Sequence, residues 1–276
     1  MGFDLRSSGR DFSRAASRQR ARAGLWLALA ALATGRMLAA EARTVPDLEL
    51  TLVPIPAGTF TMGSPADERG RSPNEGPQTK VTFAKAFWLG ATEVTQKQWT
   101  ALMPENPSQY KVEANPVEKI SWPEAVEFCA KLTERERAAG RLPEGYVYAL
   151  PTEAQWEYAC RAGTTGEYAG VLGDLAWYFK NTDGLAPKPV AQKKPNAWGL
   201  FDMHGNVWEW CADWYAPYAG GSVTDPRGAP DGKIRVARGG GWGDNAVDCR
   251  AAFRAAFKPV QRGNSVGFRV ALVPAR

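Results

Sequence analysis

The residues best equipped for chemistry lie in one fifteen-residue segment, residues 196–210, which we call the tryptophan block. It reads Asn-Ala-Trp-Gly-Leu-Phe-Asp-Met-His-Gly-Asn-Val-Trp-Glu-Trp and holds the only histidine of the chain, His204, with Asp202 and Glu209 nearby. Its pattern is neither helical nor that of an alternating strand. Buried irregular backbone needs partners for its N–H and C=O groups, and a side chain such as Asn206 or a bound cation could supply them. We therefore expect a compact, irregular segment of specific shape.

A single histidine restricts the possible metal and acid–base chemistry. A nonheme-iron site usually takes two histidines and a carboxylate, so such a site cannot form within one chain of this protein. No serine or cysteine nucleophile stands beside His204 in a recognisable motif. We therefore expect His204 to be a turn residue hydrogen-bonded to backbone rather than a general base.

The chain contains four cysteines, Cys129, Cys160, Cys211 and Cys249. None of them forms a Cys-x-x-Cys spacing, which argues against a zinc ribbon or a thioredoxin-type site. Four cysteines allow three pairings, and export would permit disulfides. We expect one or two stabilising disulfides, or buried free thiols, rather than a catalytic role.

The first 42 residues predict an export signal. Arginines dominate residues 1–23, an apolar run follows at residues 25–33, and small residues at 38–42 offer a cleavage site. This order is typical of an export signal, so we expect a periplasmic or extracellular protein. The apolar run is short for a membrane span and Arg36 interrupts it. An uncleaved anchor, with membrane contact through this segment alone, is the alternative.

The basic charge of the chain belongs mostly to the same segment. Residues 1–42 hold seven arginines and three acidic residues, a net of +4 out of the +5 of the whole chain. Residues 43–276 therefore carry a net charge of about +1 (5 − 4). Because nucleic-acid binding needs a basic face on the folded domain, we do not expect a nucleic-acid partner.

Residues 43–276 predict a single α+β domain with short elements and no internal repeat. Three helices are predicted by capping-box patterns that begin at Thr95, Ser121 and Thr152. Short strands are predicted at residues 48–53, 59–62, 81–89, 235–238 and 267–272, and a polar loop at 64–79.

Several segments together resemble the formylglycine-generating enzyme (sulfatase-modifying factor) family. They occur in the family's order and lie at residues 54–63, 93–99, 150–161, 196–210, 238–242, 249–254 and 267–269. The resemblance implies a compact, irregular fold related to the C-type lectin fold, with about three helices. It also implies an ancestral activity, the oxidation of a sulfatase cysteine to formylglycine with oxygen and copper. Other members of the family are nonheme-iron oxidases, and some have no known activity, so the resemblance predicts the fold better than the chemistry.

The copper site that the resemblance implies is incomplete in this chain. The founding enzymes use two cysteines shortly after a Gly-Gly-Ser block, and counting forward puts those positions on Asp244 and Cys249, with Gly241 in place of the serine. Counting back from the end of the family match puts neither position on a cysteine. A single thiolate cannot hold copper(I) between two sulfurs, so we do not expect formylglycine-type oxidation. Cys249 is the only catalytic candidate that remains.

The resemblance also implies a disulfide and a calcium site. It suggests a disulfide from Cys160 to Cys249, and the adjacency of two blocks in the family fold suggests Cys211–Cys249 instead. The calcium ligands that it implies are the side chains of Asp202 and Glu209 and the carbonyl oxygens of Gly205 and Val207. Carboxylates and carbonyls are the ligands that calcium prefers. The alternative is that Glu209 pairs with a buried arginine, Arg250 or Arg254.

A ligand groove is the remaining expectation from the resemblance, and its predicted residues are Trp208, Trp242 and Asp244. Tryptophans more often lie in cores, and arginines such as Arg238 and Arg254 are expected to be buried ion partners. Two functions thus stay open. One is an exported protein that oxidises or modifies an exported protein, and the other is a non-catalytic module that binds peptide or glycan.

Overall fold

The computed structural model describes residues 1 and 41–275, and the strands in that part of the chain form three sheets. The strands are β1 (Arg43–Val45), β2 (Leu50–Ile55), β3 (Gly58–Met62), β4 (Thr79–Phe83), β5 (Phe87–Gly90), β6 (Tyr146–Ala149), β7 (Trp208–Trp214), β8 (Gly221–Thr224), β9 (Arg235–Arg238), β10 (Ala255–Phe257), β11 (Val266–Gly267) and β12 (Ala271–Pro274). The α-helices are α1 (Gln96–Thr100), α2 (Trp122–Ala138), α3 (Glu153–Arg161), α4 (Leu172–Leu175) and α5 (Phe179–Thr182). Short 3₁₀ helices lie at Pro46–Leu48, Pro73–Glu75 and Ala246–Cys249. This mixture confirms the predicted α+β class, although α4 and α5 exceed the three helices expected.

The three predicted helices begin at their predicted caps. The hydroxyl oxygen of Thr95 accepts from the Gln98 N–H, and the Gln98 side chain accepts from the Thr95 N–H. Thr152 and Gln155 repeat this arrangement at α3. Each box satisfies two N–H groups that the first helical turn leaves without a partner, which fixes where the helix starts.

The sheets join segments that are far apart in sequence. The five-stranded sheet has the order β1-β2-β5-β12-β6, and β12 pairs antiparallel with both neighbours. A second sheet has the order β10-β9-β7-β11, and a third the order β3-β4-β8. The single strand expected at 81–89 is wrong, because residues 84–86 break it into β4 and β5, which belong to different sheets.

The tryptophan block is less irregular than its sequence suggests. Its last residues begin β7, which pairs antiparallel with β9 and parallel with β11. The expectation of a wholly irregular segment is therefore wrong from Trp208 onward. Strand pairing satisfies the backbone of these residues, and a register shift between Trp210 and Trp214 bends the strand.

Aromatic packing holds the sheets against α1 and α2. Trp99 stacks on Phe128 with ring centroids 5.6 Å apart, and Phe268 meets Phe128 edge-on at 5.4 Å. All three rings are buried. Burying a side chain of this size contributes roughly 1.5–3 kcal/mol, so this cluster anchors the end of the chain beside the first helices.

The predicted export signal lies outside the described residues except at its ends. Among the helices of residues 41–275, none is long and apolar enough to cross a membrane.

Candidate functional site

The tryptophan block is fixed by hydrogen bonds from its first residue and by a close backbone contact in its middle. Asn196 accepts from the N–H groups of Trp198 and Leu200 at 3.0 and 3.1 Å. At Gly205 the backbone has φ +81°, and an added Cβ would lie 2.2 Å from the carbonyl oxygen of Trp177. Only glycine fits this approach, so the turn before β7 has one shape.

Glu209 forms a buried ion pair with Arg269. Two guanidinium N–H groups of Arg269 donate to the two carboxylate oxygens of Glu209, each at 2.6 Å, and Trp156 Nε1 donates at 2.8 Å. Arg269 also donates to the carbonyls of Gly90 and Phe201. The expected pairing of Glu209 with an arginine is thus present.

The arginine in that pair differs from the two that the sequence suggested. Arg250 instead forms a bidentate pair with Glu75, at 2.6 and 2.9 Å, and Arg254 pairs with Glu153 at 2.6 and 2.8 Å. Both arginines are therefore already engaged with other carboxylates.

Two further buried carboxylates lie near this pair, and we call Glu93, Asp202 and Glu209 the carboxylate cluster. Both oxygens of Glu93 and Oδ1 of Asp202 are buried without a hydrogen-bond partner, while Asp202 Oδ2 accepts from the Ala191 N–H at 2.7 Å. Burial raises the pKa of Glu93 well above its usual range, and the negative charge of Asp202 adds to the shift. Burial also raises the pKa of Asp202 to about 6. Three acids facing one arginine leave the cluster short of positive charge.

The predicted calcium ligands fit this arrangement in part. Unpaired, buried carboxylate oxygens on Asp202 and Glu93 are the hard donors that calcium takes. Glu209 is less open, since both of its oxygens already accept from Arg269. In residues 41–275, no three His, Cys, Asp or Glu side chains are grouped as a metal site, so a calcium ion here would depend on carbonyls such as those of Gly205 and Val207. Sequence reasoning missed Glu93, although it opens the block at 93–99.

The position expected for copper does not fit that metal. Cys249 is fully buried, and burial raises the pKa of its thiol well above the usual value, with the charges of Asp244 and Asp248 adding to the shift. Copper(I) and nucleophilic chemistry both use the thiolate, which this environment disfavours. The partner position holds Asp244, whose Oδ2 accepts from Trp208 Nε1 at 2.7 Å and from the Gly241 N–H at 2.9 Å.

All four cysteines are buried free thiols, so neither predicted disulfide is formed in this structure. The ring of His204 contacts Cys160 Sγ at 3.6 Å through Nε2, and its Nδ1 lies 2.7 Å from the carbonyl oxygen of Cys249. Cys211 Sγ contacts the Glu209 carbonyl instead. The contact with backbone is the one expected for His204. Burial lowers its pKa to about 4, so the ring is neutral near pH 7.

Of the three predicted groove residues, Trp208 and Asp244 contact each other, and Trp242 lies two residues before Asp244. Besides the Trp208–Asp244 hydrogen bond, Trp242 meets Tyr110 edge-on with centroids 5.5 Å apart, and Trp208 packs on Phe253 at 5.9 Å. Trp208 and Trp242 are only 6% and 8% exposed, whereas Asp244 is half-buried. Trp208 therefore orients Asp244 through its hydrogen bond, while both tryptophans are mainly packed into the protein.

A separate network of ion pairs supports the other side of β9. Arg238 donates to Glu153 at 2.6 Å and to Glu157 at 2.7 Å, and Arg254 shares Glu153. All four side chains are buried. The expectation that these arginines are structural ion partners is confirmed.

Comparisons with known proteins agree on one family. The family model of the sulfatase-modifying factor enzyme 1-like domain matches residues 38–273. A Paenibacillus barcinonensis protein named chaperone protein LppX is 31% identical over 231 residues, which are 67% of this chain and 79% of that protein. The formylglycine-generating enzyme of Bos taurus is 26% identical over 82% of this chain and 75% of its own. The solved structure of Treponema denticola variable protein 1 has a TM-score of 0.74 and 31% identity, covering 85% of this chain and 99% of its own.

Proposed function

The chain belongs to the family of the sulfatase-modifying factor enzyme 1-like domain, and from that premise we propose that it is a non-catalytic, polypeptide-binding member. Its fold is the formylglycine-generating enzyme fold, related to the C-type lectin fold. A shared fold does not transfer an activity, so the proposal depends on the site.

The observation that carries the proposal is the state of the two copper positions. One holds Cys249, a fully buried thiol whose pKa burial raises, and the other holds Asp244, whose oxygen Oδ2 is engaged by Trp208 and Gly241. Two soft thiolates are replaced by one protonated thiol and one hard carboxylate. A reaction that needs copper(I) and oxygen has no ligand set here.

A polypeptide ligand suits the rest of the site. Trp242 is already packed on Tyr110 and Trp208 on Phe253, so these rings would order little on binding and lose little conformational entropy. A relative that is named a chaperone agrees with a role on other polypeptides. The arginine-rich, then apolar, N-terminal pattern supports export, so the ligand we propose is an exported protein.

The calcium ion that we propose is structural and has no catalytic role. The unpaired oxygens of Asp202 and Glu93 support it, because a cation would neutralise charge that Arg269 alone does not balance. When bound, calcium would supply positive charge and fix the turn before β7. Asp202 and Glu93 would hold it together with backbone carbonyls of residues 205 and 207.

The test of the missing activity uses a Cys-x-Pro-x-Arg peptide with copper and oxygen, and it reads the peptide mass. We expect no conversion and no uptake of copper(I), while a formylglycine-generating enzyme run in parallel converts the peptide. Conversion, or copper bound in a one-to-one ratio, would overturn the non-catalytic assignment.

Export is tested by joining residues 1–42 to a reporter that is active only outside the cytoplasm. Activity is expected from the fusion and not from a matched fusion in which the apolar run at 25–33 carries two added aspartates. Reporter activity from neither fusion would contradict export.

A further inference from the structure

Asp244 presents a carboxylate oxygen that no part of the described chain engages. Its Oδ2 accepts from Trp208 Nε1 and from the Gly241 N–H, but no described residue donates to Oδ1. No lysine or arginine of residues 41–275 forms a salt bridge with Asp244, and the nearest charge that acts on it, Asp248, is negative. The carboxylate is thus oriented and half-buried, yet it has no cation.

Exposed apolar side chains lie on the helix that contacts the Asp244 loop and just after it. The N–H of Phe179 donates to the Asp244 carbonyl at 2.9 Å, so α5 lies against the loop that carries Asp244. Phe179 is 52% exposed and Leu185 is 67% exposed, and between them Gly184 approaches the Phe179 ring so closely that an added Cβ would lie 2.9 Å from it. We call Phe179 and Leu185 the Phe179 patch. Exposed apolar surface rimmed by polar groups is a feature of interaction sites, and these two side chains supply such surface near the Asp244 loop.

Charge decides what kind of partner this surface fits. The charge of Asp248 acts on Asp244, Asp183 directly follows α5, and Lys180 of α5 is in none of the described salt bridges. A cation that reached Oδ1 would form a charge-assisted hydrogen bond in a half-buried place, where such bonds are stronger than on an open surface. The apolar patch beside it would take an apolar side chain. An anionic or purely polar ligand, such as an uncharged glycan, would leave both features unused.

We propose that Asp244 and the Phe179 patch recognise a polypeptide segment in which a lysine or arginine stands next to an apolar side chain. The basic group contacts Asp244 Oδ1, and the apolar side chain packs on Phe179 and Leu185. This inference rests on the proposed polypeptide-binding function and names the class of segment that is bound.

The experiment selects ligands from a displayed library of random twelve-residue peptides, because the natural ligand is not identified. The full chain is used as bait, in parallel with Asp244→Asn, Asp244→Lys and a matched control, Asp231→Lys, at an exposed aspartate of the loop before β9. Asparagine still accepts from Trp208 and Gly241 but carries no charge. Circular dichroism and melting confirm that each variant is folded.

We expect the wild type and Asp231→Lys to enrich peptides that contain a lysine or arginine beside an apolar residue. For individual enriched peptides, replacing the basic residue by glutamine should weaken binding about tenfold, the range expected for a hydrogen bond to a charged group. With Asp244→Asn this preference should fall to about twofold or less, and Asp244→Lys should favour acidic peptides instead.

The experiment distinguishes a failure of this inference from a failure of the proposed binding function. Enriched peptides without a basic preference, or a preference that Asp244→Asn retains, would overturn this inference and leave the binding function standing. If no peptide is enriched over an unrelated domain, the polypeptide-binding function is overturned and this inference falls with it.

Discussion

Replacing Arg269 by methionine removes the cation that pairs with Glu209 in the carboxylate cluster. Methionine keeps the apolar length of the side chain and loses the donors to Glu209, Gly90 and Phe201. Arg269 and Glu209 are both fully buried, and removing one partner of such a pair leaves an uncompensated charge. This loss costs about 3–5 kcal/mol, a large fraction of the roughly 5–15 kcal/mol that stabilises a typical domain.

The assay is equilibrium unfolding in urea at neutral pH with a chelator present, together with thermal melting. For a domain of this size, the loss should lower Tm on the order of 6–20 °C. The matched control is Arg135→Met, because Arg135 pairs with Asp47 on the surface, where side chains are 30% and 58% exposed. Exposed pairs contribute about 1 kcal/mol or less, so the control should change little.

The double variant Arg269→Met with Glu209→Leu gives a second readout of the same reasoning. It should recover part of the loss, because removing both charges is less costly than burying one of them alone. If Arg269→Met loses no more stability than Arg135→Met, then the buried pair does not hold this part of the fold, and the reasoning is refuted.

Other buried carboxylates and thiols should respond in defined ways. Burial raises the pKa of Asp213 to about 7, so the folded protein holds a proton that the unfolded chain releases between about pH 4 and 7. Asp213→Asn should therefore gain stability relative to wild type as the pH rises from about 5 to about 8, and parallel urea profiles would contradict this. Calcium should raise Tm, and this rise should become larger as the pH increases through about 6, the pKa of Asp202. Glu93→Gln should remove most of the rise. A rise in Tm that does not depend on pH would count against calcium bound by these carboxylates. Cys160 and Cys249 should resist a thiol reagent in the folded protein, because burial raises the pKa of both thiols. After unfolding, mass spectrometry should count four free thiols. A smaller count would reveal a disulfide.

Local rules predicted the helices because the information that starts a helix is local. Thr95 and Gln98, like Thr152 and Gln155, are three residues apart, so their reciprocal hydrogen bonds can be read from sequence alone. The strand β7 could not be found in this way. Its partners β9 and β11 lie far along the chain, and strand pairing, not periodicity, gives the segment after Trp208 its extended backbone.

The buried ion pairs likewise depend partly on local sequence and partly on tertiary structure. The sequence indicates, as one alternative, that Glu209 pairs with a buried arginine, and it suggests Arg250 or Arg254. The choice of Arg269 depends on the position of β7 beside the end of the chain, where Val266 and Gly267 pair with Trp208 and Glu209. Because that strand pairing is tertiary, the residue types indicated that Glu209 pairs with an arginine, but they could not indicate which one. Glu93 was missed for a related reason, since nothing local marks a glutamate as fully buried without a hydrogen bond.

The difference between Cys249 and Asp244 is the basis of the proposal that this chain binds polypeptide and is not an oxidase. A copper(I) site of the family's kind needs two thiolates, whereas Cys249 is a single buried thiol whose pKa burial raises, as in a small apolar core residue. The aspartate in the second position does not simply fill space. Trp208 and the Gly241 N–H orient it, and these two groups satisfy one oxygen while leaving the other without a donor. The hydrogen bonds from Trp208 and Gly241 offset part of the desolvation of this carboxylate, and no described salt bridge supplies it with a cation, which is the physical reason to look for a basic group on a partner.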